Sequence, residues 1–164
     1  MKYIFAAILL LLVGCAAPRY MEWPAEVADI SGFTDSQYEE IVLYLDEINK
    51  ETGRTLLTFE PRNSQIYIQF VNEIPQTDPE KESIVIGQAH IEVDRCTILL
   101  VKFVAEDPEW LKPVLWHEFG HCAGLRHVKA EHEVMSAFAT PLEMIEPAAI
   151  NRFIESLCTS TIEK

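Results

Sequence analysis

The stretch that most limits what this chain can become is His117-Glu118-Phe119-Gly120-His121-Cys122-Ala123-Gly124-Leu125-Arg126-His127. Residues four apart on a helix share a face, so His117 and His121 can direct their rings at one point. Glu118 follows the first histidine and is turned from it by about one hundred degrees. Gly124 permits a backbone bend that a residue with a β-carbon would resist, and His127 follows shortly after. Three neutral imidazoles with an open fourth position are a ligand set for a catalytic zinc ion. Five letters are fixed in this pattern. At typical usages of a few per cent each, a chance match in a chain of this length is on the order of one in 10⁵. In a site of this kind Glu118 is the general base, taking a proton from a metal-bound water and passing it to a leaving amine.

The same residues resemble the extended zinc signature of the metzincin metalloproteases. Met135 stands where that family places its methionine turn, and the step from His127 to Met135 is similar to that of the matrixins. The segment from Ile48-Asn49-Lys50-Glu51-Thr52 through Phe70 also looks like the matrixin stretch from the first helix through the next two strands. The resemblance extends over roughly 34–157, with the specific motifs confined to His117–Met135. It implies one catalytic zinc on His117, His121 and His127, with Glu118 as base and acid and Met135 as an apolar floor that does not ligate. Three departures stand out. Val128 replaces the serine expected after the third histidine, and Ser136-Ala137-Phe138 replaces the proline-and-tyrosine wall of the matrixin specificity pocket. The acidic loop from Asn72 to Ser83 lacks a recognisable calcium or structural-zinc ligand set, so calcium is left unassigned. His132 between Glu131 and Glu133 reads as a surface residue, and His90 near Asp94 as a solvated histidine rather than a second metal ligand.

The first fourteen residues carry an address. Lys2 precedes an apolar run from Ile4 to Val13, too short to span a bilayer, and the run ends in Leu12-Val13-Gly14-Cys15. That ending resembles the lipobox of bacterial lipoproteins, which implies cleavage before Cys15 and lipidation of its sulfur. Ala16 is not the aspartate associated with inner-membrane retention, so the resemblance points to the outer membrane. An ordinary signal cleaved after Ala16 or Ala17 is the alternative. Arg19 to Ser31 is a tether or a first extended piece, too short for a pro-domain. The expected organisation is therefore a signal peptide at 1–14, lipidated Cys15 and tether at 15–32, and one peptidase domain at 33–164.

Charge and cysteines narrow the partners. The formal charge is −13, and the chain from Cys15 onward carries −14 because Lys2 is the only charge before it. Such a surface repels phosphate backbones and anionic membranes, which argues against nucleic acid and leaves membrane attachment to the lipid. With Cys15 lipidated, Cys96, Cys122 and Cys158 remain. One disulfide and one buried thiol is the economical arrangement in an oxidising compartment, with all three pairings open.

Periodicity sets out the rest. Thr34, Asp35 or Ser36 can cap a helix with an apolar stripe of Tyr38, Ile41, Val42, Leu45 and Ile48, stopped by Gly53. Thr55–Phe59 and Gln65–Val71 read as strands, the second with Ile66, Ile68 and Phe70 on one face. Short strands are expected at Ser83–Ile86 and Ala89–Val93, and a buried strand over Cys96–Val104. The histidine helix is expected from Trp110 to about Gly124, opened by Asp107 and Pro108. A last helix follows from about Pro147 to Cys158, with Ile150, Phe153, Ile154 and Leu157 inward. The reading is an α+β, metzincin-like single domain with a twisted, mostly parallel sheet of four or five strands and three helices. Its expected function is a monomeric zinc endopeptidase tethered to the bacterial envelope, acting on protein or peptide. A non-catalytic zinc lipoprotein that binds a partner, and a cell-wall peptide hydrolase using the same residues, are the alternatives.

Overall fold

The computed structural model describes residues 25–31, 33–59, 65–76, 84–92 and 95–160. The signal segment, Cys15 and most of the acidic loop lie outside the described residues. The described fold opens with a parallel crossover. Strand β1 (Ala25–Ser31) leads into helix α1 (Asp35–Thr52), and β2 (Leu57–Phe59) returns parallel to β1, with Ala25 opposite Leu57. Parallel neighbours need a long connection, and α1 supplies it. The stretch Arg19–Ser31 thus holds an extended piece of the sheet from Ala25 onward, so those seven residues are not tether.

Local chemistry fixes both ends of α1. Thr34 is the N-cap of a capping box: its hydroxyl accepts from the Gln37 amide and the Gln37 side chain accepts from the Thr34 amide, satisfying two donors the helix start would otherwise leave open. Gly53 ends the helix in a left-handed conformation, φ 63°. Asn49 then controls the return. Its side-chain oxygen accepts from the amides of Leu56 and Leu57 at 2.7 and 2.9 Å, and its amide donates to the Leu57 carbonyl. Ile41, Leu45 and Ile48 are buried as the spacing predicts, whereas Tyr38 is 45% exposed. Tyr38 sits in the first turn, at the edge of the stripe, where the core no longer reaches it.

The remaining strands are β3 (Ile66–Val71), β4 (Gly87–Ile91) and β5 (Cys96–Val101). The sheet order is β2-β1-β3-β5-β4, parallel throughout except for β4, which runs antiparallel to β5. Ile68 pairs with Ile98 and Phe70 with Leu100 at the centre. Five strands in a mostly parallel sheet agree with the expectation. Two details do not. One strand beginning at Gly87 replaces the two expected on either side of it, and the described residues Ile84–Ile86 are not strand. The strand expected to reach Val104 ends at Val101, and Lys102–Ala105 form a short helix, α2. Val104 and Ala105 are both buried while Lys102 and Phe103 are exposed, a pattern the two-residue period of a strand cannot produce. With α2 the described residues hold four α-helices instead of the three expected.

Helix α3 (Pro108–Cys122) starts two residues before the expected Trp110. Asp107 is its N-cap, accepting from the Glu109 amide at 3.0 Å, and Pro108 occupies the first turn where no amide is needed. A 3-10 turn (Leu142–Met144) precedes α4 (Pro147–Ser160). Leu111, Leu115 and Phe119 from α3 join Phe153 and Leu157 from α4, the α1 stripe and the central strands in one hydrophobic cluster. Each such side chain contributes about 1.5–3 kcal/mol by leaving water. Trp116 links three helices, stacking on Phe153 and donating its indole N–H to the Tyr44 carbonyl at 3.0 Å. No helix among the described residues is long and apolar enough to cross a membrane.

Candidate metal centre

The histidine helix ends in a motif that places the third histidine. Leu125 donates its amide to the Gly120 carbonyl at 2.9 Å and Gly124 donates to the His121 carbonyl at 2.8 Å. This is the Schellman arrangement, and its left-handed position is Gly124, φ 86°. The bend turns the chain back over the helix end. As a result the Nε2 atoms of His117, His121 and His127 form a triangle with sides of 3.0, 3.1 and 3.2 Å.

The protons on these rings are placed by the backbone. His117 Nδ1–H donates to the Val134 carbonyl at 2.7 Å, and His121 Nδ1–H donates to the Leu125 carbonyl at 2.9 Å. Burial pushes His117 down to about 4, opposed by its bond to Val134 and helped by the two other histidines. His121 is lowered as well, again chiefly by burial. Both rings are therefore neutral at pH 7 with their single proton on Nδ1, and their Nε2 lone pairs face each other without a hydrogen between them. That is an unfavourable contact unless a cation lies among them. A tetrahedral zinc ion with Zn–N of 2.0–2.1 Å needs nitrogens roughly 3.3–3.4 Å apart. The triangle lies within a few tenths of an ångström of that requirement, so the residues present fit zinc. The same three histidines form the metal-capable group among the described residues.

The segment after His127 supports this arrangement from below. Val128 donates to the Met135 carbonyl at 2.9 Å, closing the turn whose Val134 carbonyl orients His117. Met135 is buried, and its sulfur lies against Gly120 so closely that an added β-carbon there would sit 2.5 Å from it. The methionine thus packs under the helix turn that separates His117 from His121. Cys122, next to His121, forms a disulfide with Cys96 at the start of β5, Cα–Cα 5.7 Å. Of the three possible pairings this one pins the end of the ligand helix to the sheet, and it leaves Cys158 outside the bond.

Glu118 is 5% exposed and accepts a hydrogen bond from the Ala89 amide of β4. Burial raises its carboxyl to about 8, with the Ala89 bond opposing. The acid lies at one side of a cleft of about 640 Å³. Ile84–Ala89 form one wall of that cleft, Trp110, Pro113 and Val114 of α3 its back, and Val134 with Ser136–Thr140 the other wall. His90 is exposed on β4 and joins no metal-capable group among the described residues; His132 is exposed with φ 60°. Sequence reasoning missed the parts of the site made by backbone. The carbonyls of Leu125 and Val134 and the amide of Ala89 carry no side-chain signal, and Gly87 read only as a strand break.

Known structures share this arrangement of elements. Archaemetzincin from Methanopyrus kandleri superposes with a TM-score of 0.56 at 17% identity, over 83% of this chain and 94% of its own. The chain folds like archaemetzincin. No protein-family model matches the sequence, and none of the curated proteins resembles it in sequence. The likeness to archaemetzincin is therefore one of fold, at low sequence identity.

Proposed function

We propose that this protein is a zinc-dependent endopeptidase of metzincin type. The observation that carries the reading is the Nε2 triangle beside a buried Glu118 at one side of the cleft. His117, His121 and His127 would hold the zinc, which supplies a Lewis acid and a bound water of lowered pKa. Glu118 accepts a proton from the attacking water on a carboxylate oxygen and returns it to the departing amine nitrogen. Its burial favours the protonated state after the first transfer, and a cation held by the three histidines would favour the ionised state before it. The Ala89 amide holds the carboxylate in place through both steps.

The cleft suits an extended chain. β4 is the edge of the sheet, and its outer side faces the cleft, so a peptide can lie along it as an added strand. Among the described residues the cleft lining includes no Lys or Arg, and Glu133 there is ion-paired with Arg152. Ile84 and Phe138 are 77% and 73% exposed at its walls. These features favour an unfolded stretch with apolar side chains as substrate. The lipobox-like Leu12–Cys15 supports attachment of this activity to the outer membrane through a lipid on Cys15.

Protein beginning at residue 16 tests the reading. It is expected to bind about one zinc per chain and to cleave an unfolded protein such as reduced casein, with both properties lost on chelation. Glu118→Ala is expected to keep the zinc and lose the cleavage. Zinc binding with no turnover of protein or muropeptide would make the fold a metal-bound binding module instead.

A further inference from the structure

We propose that Gly87 is a positioning residue for Glu118: its missing side chain is the space in which the carboxylate is held. Glycine is a poor strand residue, and one inside a strand calls for a reason. Backbone conformation is not the reason here, because the described glycines in the left-handed region are Gly53 and Gly124. Space is. A β-carbon on Gly87 would lie 2.7 Å from Glu118 Oε1, 3.1 Å from its Cγ and 2.6 Å from Val114 Cγ1. Two residues on, Ala89 donates its amide to the same carboxylate. β4 thus lies directly on Glu118, with Gly87 giving the approach and Ala89 the hydrogen bond.

The strand has little freedom to withdraw. Gly87 is paired with Leu100 in the β4–β5 ladder, and the Val101 amide holds the Ile86 carbonyl at 3.0 Å. Val114 is β-branched on a helix and stiff at its first torsion. The most yielding atom near an added β-carbon is the Glu118 carboxylate at the end of its own flexible chain. A side chain at position 87 therefore displaces the base and leaves sheet, helix and histidines standing. The three atoms nearest the added β-carbon belong to Val114 and Glu118, not to a histidine.

The inference rests on the peptidase reading, and the test separates the two. Gly87→Ala is expected to lower kcat about a hundredfold, the scale of a misplacement near 1 Å, with KM held within about twofold and about one zinc retained per chain. Gly87→Ala on a Val114→Ala background should show the same loss relative to Val114→Ala alone. Full recovery there would assign the glycine to Val114, and loss of zinc together with activity would make it a fold residue; either overturns the proposal, as does unchanged kcat. Thermal melting supplies an arm that needs no turnover. Gly87→Ala should lower Tm less on a Glu118→Ala background than in the native chain, since the crowded contact is already gone. An equal drop in both would contradict the contact even if the native protein cleaves nothing, the result that would sink the peptidase reading.

Discussion

The cleft has two unlike walls. On the α3 side the proposed function rests on side chains: three histidines, of which His117 and His121 are oriented by backbone carbonyls, a glutamate held by a backbone amide and a buried methionine. On the β4 side it is carried by main chain, namely the Ala89 amide, the bare Cα of Gly87 and the strand edge. If the histidines hold a metal as proposed, the side-chain wall tolerates little chemical change, because a ligand atom cannot be replaced. The main-chain wall accepts many residue types so long as volume and register are kept. On the proposed reading, catalytic chemistry and substrate contact rest on different walls.

The sharpest way to break this comparison is to remove a ligand. His121→Ala should reduce bound zinc below detection at equimolar metal and take peptide cleavage to background, measured by metal analysis after gel filtration and by a fluorogenic peptide. Survival of stoichiometric zinc would mean that the side-chain wall does not define the centre.

Glu118 joins the two walls, and its burial should be visible without metal. Its folded pKa, about 8, lies above its unfolded value near 4.5. The associated stability is thus complete below about pH 4.5 and is lost as pH rises through 8. The histidines act in the opposite sense at lower pH, so comparison with Glu118→Gln isolates the carboxyl. Chelated native protein should lose up to roughly 4 kcal/mol relative to that variant between pH 5 and 8. Urea titrations at several pH values provide the check, and parallel curves would contradict a buried carboxyl.

The disulfide tests how firmly the ligand helix is fixed to the sheet. Its loop closes 26 residues, so replacing Cys96 and Cys122 by alanine should destabilise the protein by about 3 kcal/mol. Zinc affinity should fall with it, since Cys122 adjoins a ligand. The smallest effect is expected at Gly124. Alanine in its left-handed conformation costs about 1–2 kcal/mol, read as a Tm lower by roughly 3–8 °C.

The same division explains what was legible in the sequence. His117, His121 and His127 come together, with Glu118 and Met135 close by, because spacing on a helix and across a glycine bend is local geometry, readable letter by letter. The α1 stripe and the alternation in β3 were readable for the same reason. The end of β5 was not, since Lys102–Ala105 continue an apolar run whose helical turn is decided by the packing of Val104 and Ala105. Gly87 and Ala89 gained their roles only when a residue far along the chain, Glu118, came to lie beneath them. The Cys96–Cys122 pair is likewise a tertiary fact, open until β5 and the end of α3 are seen side by side.

Glu118→Ala provides the most direct test of the central claim. Native protein and variant, both loaded with zinc, are incubated with reduced casein and the products followed by mass spectrometry. The account predicts about one zinc on each, internal cleavage by the native chain, and a rate roughly 10³–10⁴-fold lower for the variant. Equal cleavage by the two proteins would contradict it.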